Sequence, residues 1–203
     1  MRAVDVVDAE PSRRPFALVR PPGHHAESDR AMGFCLYNNI AVAAAYATSE
    51  LGYQRVAIVD WDVHHGNGTH YSFFDRKDVF VFNTHRSPFY PGTGDVEEMG
   101  SGTGAGYTIN VPLPAGMGDG DYGYAYQKVL LPLMDQYEPD LVLVSAGFDC
   151  HRDDPLGGMN VTDEGFGALC GCVRDIADAH AEGRLALVLE GGYDLDGLAA
   201  SVD

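Results

Sequence analysis

The chain has 203 residues, of which 45% are hydrophobic, and its formal net charge is −17 at pH 7. That length can enclose a hydrophobic core, and we expect a single domain over residues 1–203. The negative charge argues against direct binding of nucleic acid or of an anionic membrane. No run of the sequence approaches the ~20 apolar residues that a membrane span needs.

The N-terminal residues and the spacing of the cysteines indicate the cellular compartment in which the protein resides. The opening run MRAVDVVDAEPSRRPF lacks the apolar core of a signal peptide. The cysteines show no metal-ligand spacing; they are Cys35, Cys150, Cys170 and Cys172. We therefore expect a reducing, cytoplasmic setting. The acidic, lysine-poor composition suggests a salt-loving prokaryotic host, although a GC-rich genome would explain it as well.

Strand-like and helix-like segments alternate along the chain. Short, β-branched apolar runs that end at polar or turn residues predict buried strands at Val56–Asp60, Val79–Asn83, Tyr107–Val111, Leu141–Ser145 and Leu185–Leu189. Helices are predicted over Asn39–Leu51, Asp121–Tyr137 and Thr162–Ala181. The alternation predicts an α/β fold of three layers, in which helices cover both faces of a mostly parallel sheet. Ligands bind such sheets beyond the carboxyl ends of the strands, which is where polar, glycine-rich segments stand in this sequence.

The segment that begins at Asp60 contains the first candidate metal ligands. Residues two apart in an extended chain face the same side, so Asp60, Asp62 and His64 would share one face. Asp149 ends another apolar strand, and together with Asp62 and His64 it gives the three protein ligands typical of a catalytic zinc site. Taken alone, each fragment is better explained as a polar strand end. The carboxylates at 153–154 are interpreted as turn formers before a proline.

Two adjacent histidines, His24 and His25, follow a stiff Pro-Pro-Gly turn. Hydrolysis at a metal site needs a base for the attacking water and an acid for the leaving group, and histidine can supply either near neutral pH. Each ring would need a partner that fixes its tautomer, and Asp60 and Asn67 are candidates. A surface turn explains this fragment equally well on its own.

Aromatic residues beside glycines complete the candidate set. Tyr193 follows a glycine pair after an apolar strand, and its hydroxyl could hydrogen-bond the oxyanion of a tetrahedral intermediate. By itself the fragment is better explained by a tyrosine packed over a turn. Phe34, Phe89 and Tyr90 could wall a narrow apolar tunnel, and ordinary packing at a rim is equally consistent with their positions.

Together these segments resemble the arginase–deacetylase fold, in particular histone deacetylases of the second class and their prokaryotic relatives. The matching segments, in the family's order, are RPPGHHAE (20–27), GFCLYNNIAVAA (33–44), VAIVDWDVHHGNGT (56–69), FYPGTGD (89–95), LVLVSAGFDCHRDDPLGG (141–158) and LEGGYDL (189–195). The family's domain is longer, so the resemblance implies that this chain lacks the family's N-terminal portion and its last C-terminal elements.

The resemblance implies a role for each candidate residue. The implied zinc ligands are Asp62, His64 and Asp149. The implied catalytic residues are His24, His25 and Tyr193, with Asp60 and Asn67 as partners of the histidines. The implied substrate contacts are Gly33, Phe34, Tyr90 and Leu156. The implied potassium site consists of Asp60, Asp62, His64, Asn83 and Thr84.

The implied function is zinc-dependent removal of acetyl groups from lysine side chains by attack of metal-activated water. An acetylpolyamine amidohydrolase shares this chemistry. Leu156, at a position where one polyamine-specific branch has an acidic residue, favours acetyl-lysine, whereas Tyr90, at a position where phenylalanine is common, favours the polyamine. A non-catalytic binding or scaffold protein is the second alternative. We therefore expect as partner an acetylated lysine in a protein or a small acetylated amine, and a homo-oligomer is a further expectation because sheet edges would be exposed.

Overall fold

Six strands form one sheet in the computed structural model, which describes residues 1–202. In chain order they are β1 (Phe16–Ala17), β2 (Val56–Asp60), β3 (Val79–Arg86), β4 (Thr108–Leu113), β5 (Leu141–Ala146) and β6 (Leu185–Leu189). Their order across the sheet is β1-β6-β5-β2-β3-β4, and every neighbouring pair is parallel. The predicted parallel sheet is therefore confirmed. The sequence does not predict β1, because two residues are too few to show a pattern.

Helices cover both faces of the sheet. They are α1 (Arg2–Ala9), α2 (Asn39–Ser49), α3 (Asn67–Ser72), α4 (Asp119–Ala125), α5 (Leu131–Tyr137), α6 (Asp163–His180) and α7 (Leu195–Val202). Apolar residues of α1 and α2 pack with one face of the sheet, and those of α4, α5 and α6 pack with the other. The three-layer architecture is thus confirmed. Within residues 1–202, no helix combines the length and the apolar character needed to cross a membrane.

Local sequence explains where two of the helices begin. Asn38 caps α2 by accepting a hydrogen bond from the Ala41 backbone N–H at 3.0 Å. Thr162 caps α6 in the same way, through the Gly165 N–H at 3.1 Å. Both caps satisfy a backbone donor that has no partner within the helix.

The single helix predicted over Asp121–Tyr137 requires a correction. The segment consists of α4, a π-helical turn at Tyr126–Leu130, and α5. Pro132 stands at the start of α5, and it has no backbone N–H to continue the α-helical ladder. The Leu131 N–H bonds to the Tyr126 carbonyl, five residues back, which is the spacing of a π-helix.

The register of the strands determines where the polar segments meet. Asp60, at the end of β2, pairs with Asn83 of β3 on one side and with Ser145 of β5 on the other. Ser145 in turn pairs with Val188, near the end of β6. The segments that follow these strands therefore emerge side by side at the carboxyl edge of the sheet.

Candidate active site

The three predicted metal ligands meet at this edge. One ligand atom from each of Asp62, His64 and Asp149 lies within 4.8 Å of the other two. His64 Nδ1 is 3.1 Å from Asp62 Oδ1 and 3.1 Å from Asp149 Oδ2. Both carboxylates are buried. No second group of this kind is found within residues 1–202.

The surroundings of the two carboxylates fit a divalent cation. Asp62 Oδ2 accepts a hydrogen bond from the Gly191 N–H at 2.9 Å, and Asp149 Oδ1 accepts one from the Val63 N–H at 2.8 Å. Asp149 Oδ2 is buried and lacks a well-aligned hydrogen bond although His64 Nδ1 lies 3.1 Å away, which is costly for a carboxylate oxygen. A metal ion coordinated by that oxygen would remove this cost, and two carboxylates with one imidazole suit zinc.

The electrostatics of this group favour a positive charge between the three side chains. Burial and the neighbouring charge of Asp62 raise the pKa of Asp149 to about 7. Burial alone would lower the pKa of His64, but Asp149 and Asp62 outweigh it through hydrogen bonds and charge, and the pKa rises to about 10. Both shifts draw a proton into the space between the three groups, and a bound cation would occupy the same favourable position.

The tandem histidines lie beside the ligands, each with its predicted partner. His24 Nδ1 is 2.9 Å from Asp60 Oδ2, and His25 Nδ1 is 2.8 Å from Asn67 Oδ1. Both rings are buried, and their centroids are 4.1 Å apart. His24 Nε2 also lies 3.7 Å from Asp62 Oδ1. The structure therefore brings the histidines, their partners and the metal ligands into one cluster.

The electrostatic surroundings shift the pKa values of the two histidines in opposite directions. Burial works against a charged His24, but the charges of Asp62, Asp60 and Glu190 raise its pKa well above the usual value. Burial and the charge of His24 lower the pKa of His25 to about 3. The surroundings of the first ring therefore favour its protonated form, and those of the second ring favour its neutral form.

A cavity of about 690 Å³ opens onto this cluster. His24, His25, Asp62 and His64 line its buried end. The predicted substrate contacts also line it, namely Gly33, Phe34, Tyr90 and Leu156, together with Tyr193. Phe34, Tyr90 and Leu156 are exposed and form its mouth. The cavity thus has apolar walls and a polar end, a shape suited to an aliphatic chain that ends in a polar group.

Phe89 and Tyr193 make specific contacts in the cavity wall. The Phe89 ring stacks on His64, with centroids 5.0 Å apart and planes 14° apart. Burial and the charges of Asp62 and Asp149 raise the pKa of Tyr193 above its usual range. The phenol therefore keeps its proton at neutral pH and can donate a hydrogen bond.

The residues predicted to bind potassium are also neighbours. Asn83 and Thr84 lie on β3 beside Asp60, and the Thr84 hydroxyl donates to the Asp60 carbonyl at 3.4 Å. Asn83 Oδ1 accepts from His85 Nδ1 at 2.7 Å, so one of its lone pairs is already used.

Two buried carboxylates organise the site although the sequence analysis assigns them no such role. Glu190 Oε2 accepts from the backbone N–H groups of Gly23 and His24 at 2.7 and 3.1 Å, which anchors the turn before the histidines. Asp154 Oδ1 accepts from the backbone N–H of Leu156 at 2.8 Å, as expected of a turn former, but Oδ2 also accepts from the Tyr193 N–H at 2.7 Å. The sequence feature that could have identified both residues is their position in a glycine-rich segment at the end of a strand.

The fold and this site together define an α/β protein with a candidate metal centre at the carboxyl edge of a parallel sheet. The chain belongs to the histone deacetylase family, since the family model described as "Histone deacetylase domain" matches residues 1–203. The resemblance inferred from the motifs is therefore confirmed.

Individual relatives agree with this assignment. The rice protein (Oryza sativa subsp. japonica) named "Histone deacetylase 10, chloroplastic" is 48% identical over 187 residues, which are 92% of this chain and 42% of that protein. The "Histone deacetylase-like amidohydrolase" of Pseudomonas aeruginosa is 44% identical over 192 residues, 94% of this chain and 50% of the relative. The solved structure titled "Crystal Structure of HDA15 HD domain" matches with a TM-score of 0.94 and 46% identity, over 99% of this chain and 56% of that one. The chain thus spans about half the length of the relatives it matches.

Proposed function

We propose that the chain is the catalytic part of a zinc-dependent deacetylase that removes acetyl groups from lysine side chains, and that residues 1–203 form one domain. The observation that carries the proposal is the position of the three ligands, Asp62, His64 and Asp149. They meet beside the buried end of an apolar cavity, and His25 and Tyr193 line the same cavity.

Asp62, His64 and Asp149 would hold the zinc ion, which when bound supplies a Lewis acid that polarises the amide carbonyl and acidifies water. His25 is neutral and lines the cavity, so it is the proposed base that takes a proton from the attacking water. His24, whose pKa is raised by neighbouring carboxylates, is the proposed donor of a proton to the leaving amine. The Tyr193 hydroxyl would donate a hydrogen bond to the oxyanion.

A potassium ion is proposed as a second cation. Its ligands would come from Asp60, Asp62, His64, Asn83 and Thr84. The support is local: Asp60 and Asp62 are buried carboxylates, and a monovalent cation beside them would reduce their repulsion. A turnover rate that rises with KCl but not with an equal concentration of tetramethylammonium chloride would agree with this site.

The mouth of the cavity favours acetyl-lysine over an acetylated polyamine. A polyamine carries further ammonium groups, which need a carboxylate partner when they leave water. Among the described residues that line the cavity, the carboxylate is Asp62, which belongs to the metal centre. Leu156 and Phe34 at the mouth are apolar and exposed. They suit the aliphatic part of a lysine whose backbone remains outside.

Metal analysis and two substrates test the proposal. We expect one zinc per chain by mass spectrometry, and faster hydrolysis of an acetyl-lysine peptide than of N-acetylspermidine. Faster hydrolysis of acetylspermidine would favour the polyamine alternative. Bound zinc without turnover of either substrate would favour a binding or scaffold protein.

We also propose a reducing, cytoplasmic setting and direct partners that are acetylated amines rather than nucleic acid. The support is that Cys35, Cys150, Cys170 and Cys172 are free thiols and that the net charge is −17. Expression of the chain under oxidising and reducing conditions, followed by thiol counting, would test the first point.

A further inference from the structure

The amide of Asn67 has only one orientation that its neighbours allow. Asn67 Nδ2 lies 2.6 Å from Glu27 Oε1, 3.3 Å from Met32 Sδ and 3.4 Å from the His25 carbonyl oxygen. All three neighbours are hydrogen-bond acceptors, and an ionised carboxylate can only accept. The NH₂ group of Asn67 must therefore face Glu27, and its Oδ1 must face His25.

This orientation determines which nitrogen of His25 carries the proton. Asn67 Oδ1 lies 2.8 Å from His25 Nδ1. An amide oxygen only accepts, so Nδ1 must be the protonated nitrogen of the neutral ring. Nε2 is then left with a free lone pair, which is what a base requires.

Glu27 is itself held in place. Arg30 donates to it through Nε at 3.0 Å and through Nη2 at 2.9 Å, and the Glu27 backbone N–H bonds to the Arg30 carbonyl at 3.0 Å. Hydrogen bonds from Arg30 lower the pKa of Glu27. The carboxylate is thus kept ionised and is fixed in a two-pronged ion pair beside Asn67.

We propose that Glu27 is a positioning residue that fixes the Asn67 amide and, through it, the tautomer of His25. The inference deepens the proposed function, because it rests on His25 being the base. It also explains why the residue at position 67 is an amide. An aspartate at that position would place a second carboxylate beside that of Glu27, and the two negative charges would repel each other.

The tautomer can be measured without turnover. In the zinc-loaded protein labelled with ¹⁵N-histidine, long-range ¹H–¹⁵N correlation spectra distinguish protonated from bare ring nitrogens, and His25 is assigned by its absence from His25→Ala. We expect Nδ1 to be protonated and Nε2 bare in the parent chain, and a mixture of tautomers in Glu27→Ala. Glu138→Ala is the matched control, because Glu138 also pairs with an arginine, Arg55, but lies at the opposite edge of the sheet. A parent chain protonated at Nε2, or an unchanged His25 spectrum in Glu27→Ala, would overturn the proposal.

A double-mutant cycle tests the coupling to catalysis. Glu27→Ala should lower kcat roughly 10- to 100-fold with little change in KM, because it disturbs an orienting partner of the base. Asn67→Asp should lower kcat to a similar extent, because its new carboxylate would be repelled by the carboxylate of Glu27. Glu27→Gln in the Asn67→Asp background restores a donor beside the new carboxylate, and we expect it to recover roughly 10-fold in kcat.

The two measurements separate this inference from the proposed function. A parent chain that hydrolyses neither substrate would remove the proposed function, while the spectra still decide whether Glu27 sets the tautomer. A double variant no faster than Asn67→Asp, in a chain that does hydrolyse acetyl-lysine, would remove the role of Glu27 and leave the deacetylase assignment intact.

Discussion

Two groups of histidines lie side by side in this protein, and they differ in their neighbours. The first group, the cavity histidines, consists of His24, His25 and His64, which line the cavity. The second group, the inner histidines, consists of His65, His70 and His85, which lie behind it. His64 and His65 are consecutive, yet carboxylates raise the pKa of His64 to about 10, whereas burial and the neighbouring His85 lower that of His65 to about 2.

The inner histidines hold a loop. His65 Nδ1 is 2.8 Å from Thr93 Oγ1, and His65 Nε2 is 3.2 Å from His70 Nδ1. Thr93 belongs to the loop that carries Phe89 and Tyr90 into the cavity wall. The comparison teaches that burial favours the neutral form of a histidine, and that buried carboxylates beside His24 and His64 outweigh this effect and favour the charged form.

The sharpest test of this comparison replaces the two consecutive histidines in turn. His64→Ala removes a proposed metal ligand, and we expect loss of zinc and a fall in kcat of about 10⁴-fold. His65→Gln keeps polar atoms near Thr93 and should retain zinc and most activity. Zinc content and kcat on an acetyl-lysine peptide are the measurements. Loss of zinc in His65→Gln would show that the inner histidines also contribute to metal binding.

Tyr193 belongs to the cavity side, and its hydroxyl offers the next largest effect. Tyr193→Phe should lower kcat roughly 10²- to 10³-fold, because one donor to the oxyanion is lost. Zinc should stay bound, since the phenol is not a ligand. Tyr124→Phe is the control, because Tyr124 is an exposed tyrosine on α4. Near-normal turnover in Tyr193→Phe would refute its role.

Much of the fold and of the candidate metal centre can be predicted from the sequence, but the separation of the two histidine groups cannot, and these limits have physical causes. Strand β2 has its predicted bounds because an uninterrupted apolar run is a strong signal. The meeting of Asp62, His64 and Asp149 follows from parallel strands that end at one edge. Glu190, Asp154 and Glu27 could not be assigned, because their roles depend on backbone N–H groups and amides far away in sequence. The π-helical turn before Pro132 was likewise beyond a pattern of apolar residues, which shows where a helix lies but not how its ladder shifts.

The contact between the inner histidines and the loop can be broken at one glycine. Gly94 has φ +90, and a Cβ there would lie 2.7 Å from the rings of both His65 and His85. Gly94→Ala should therefore displace the loop and lower kcat/KM roughly 10-fold, as small misplacements near a site do. Gly92→Ala is the matched control: Gly92 has φ +86 but nothing within 4 Å of an added Cβ. Gly92→Ala therefore carries the cost of an alanine in the left-handed region but makes no clash with the histidines. An equal loss of kcat/KM in both variants would show that the contact with the histidines does not cause the loss.

The subtlest difference is the sign of the pH dependence, which is opposite for the inner histidines and for the two cavity histidines with a raised pKa, His24 and His64. Burial lowers the pKa of His85 from 6.5 to about 4, so between these values the unfolded chain binds a proton that the folded chain does not. His85 therefore destabilises the fold as pH falls below about 6.5, by up to about 1.4 kcal/mol per pH unit, and has no such effect above it. A cavity histidine with a raised pKa behaves oppositely, since its stabilisation is present at low pH and lost as pH rises through the folded pKa.

The His85→Gln variant removes this titrating group, and burial still favours a neutral His65 in its absence. Urea unfolding of both proteins from about pH 8 to about pH 5 gives the difference in free energy of unfolding at each pH. We expect that difference to be constant above about pH 6.5 and to move in favour of the variant below it. Parallel curves over the whole range would mean that His85 is not held neutral by burial. The inner histidines would then not be the uncharged support that the comparison makes them.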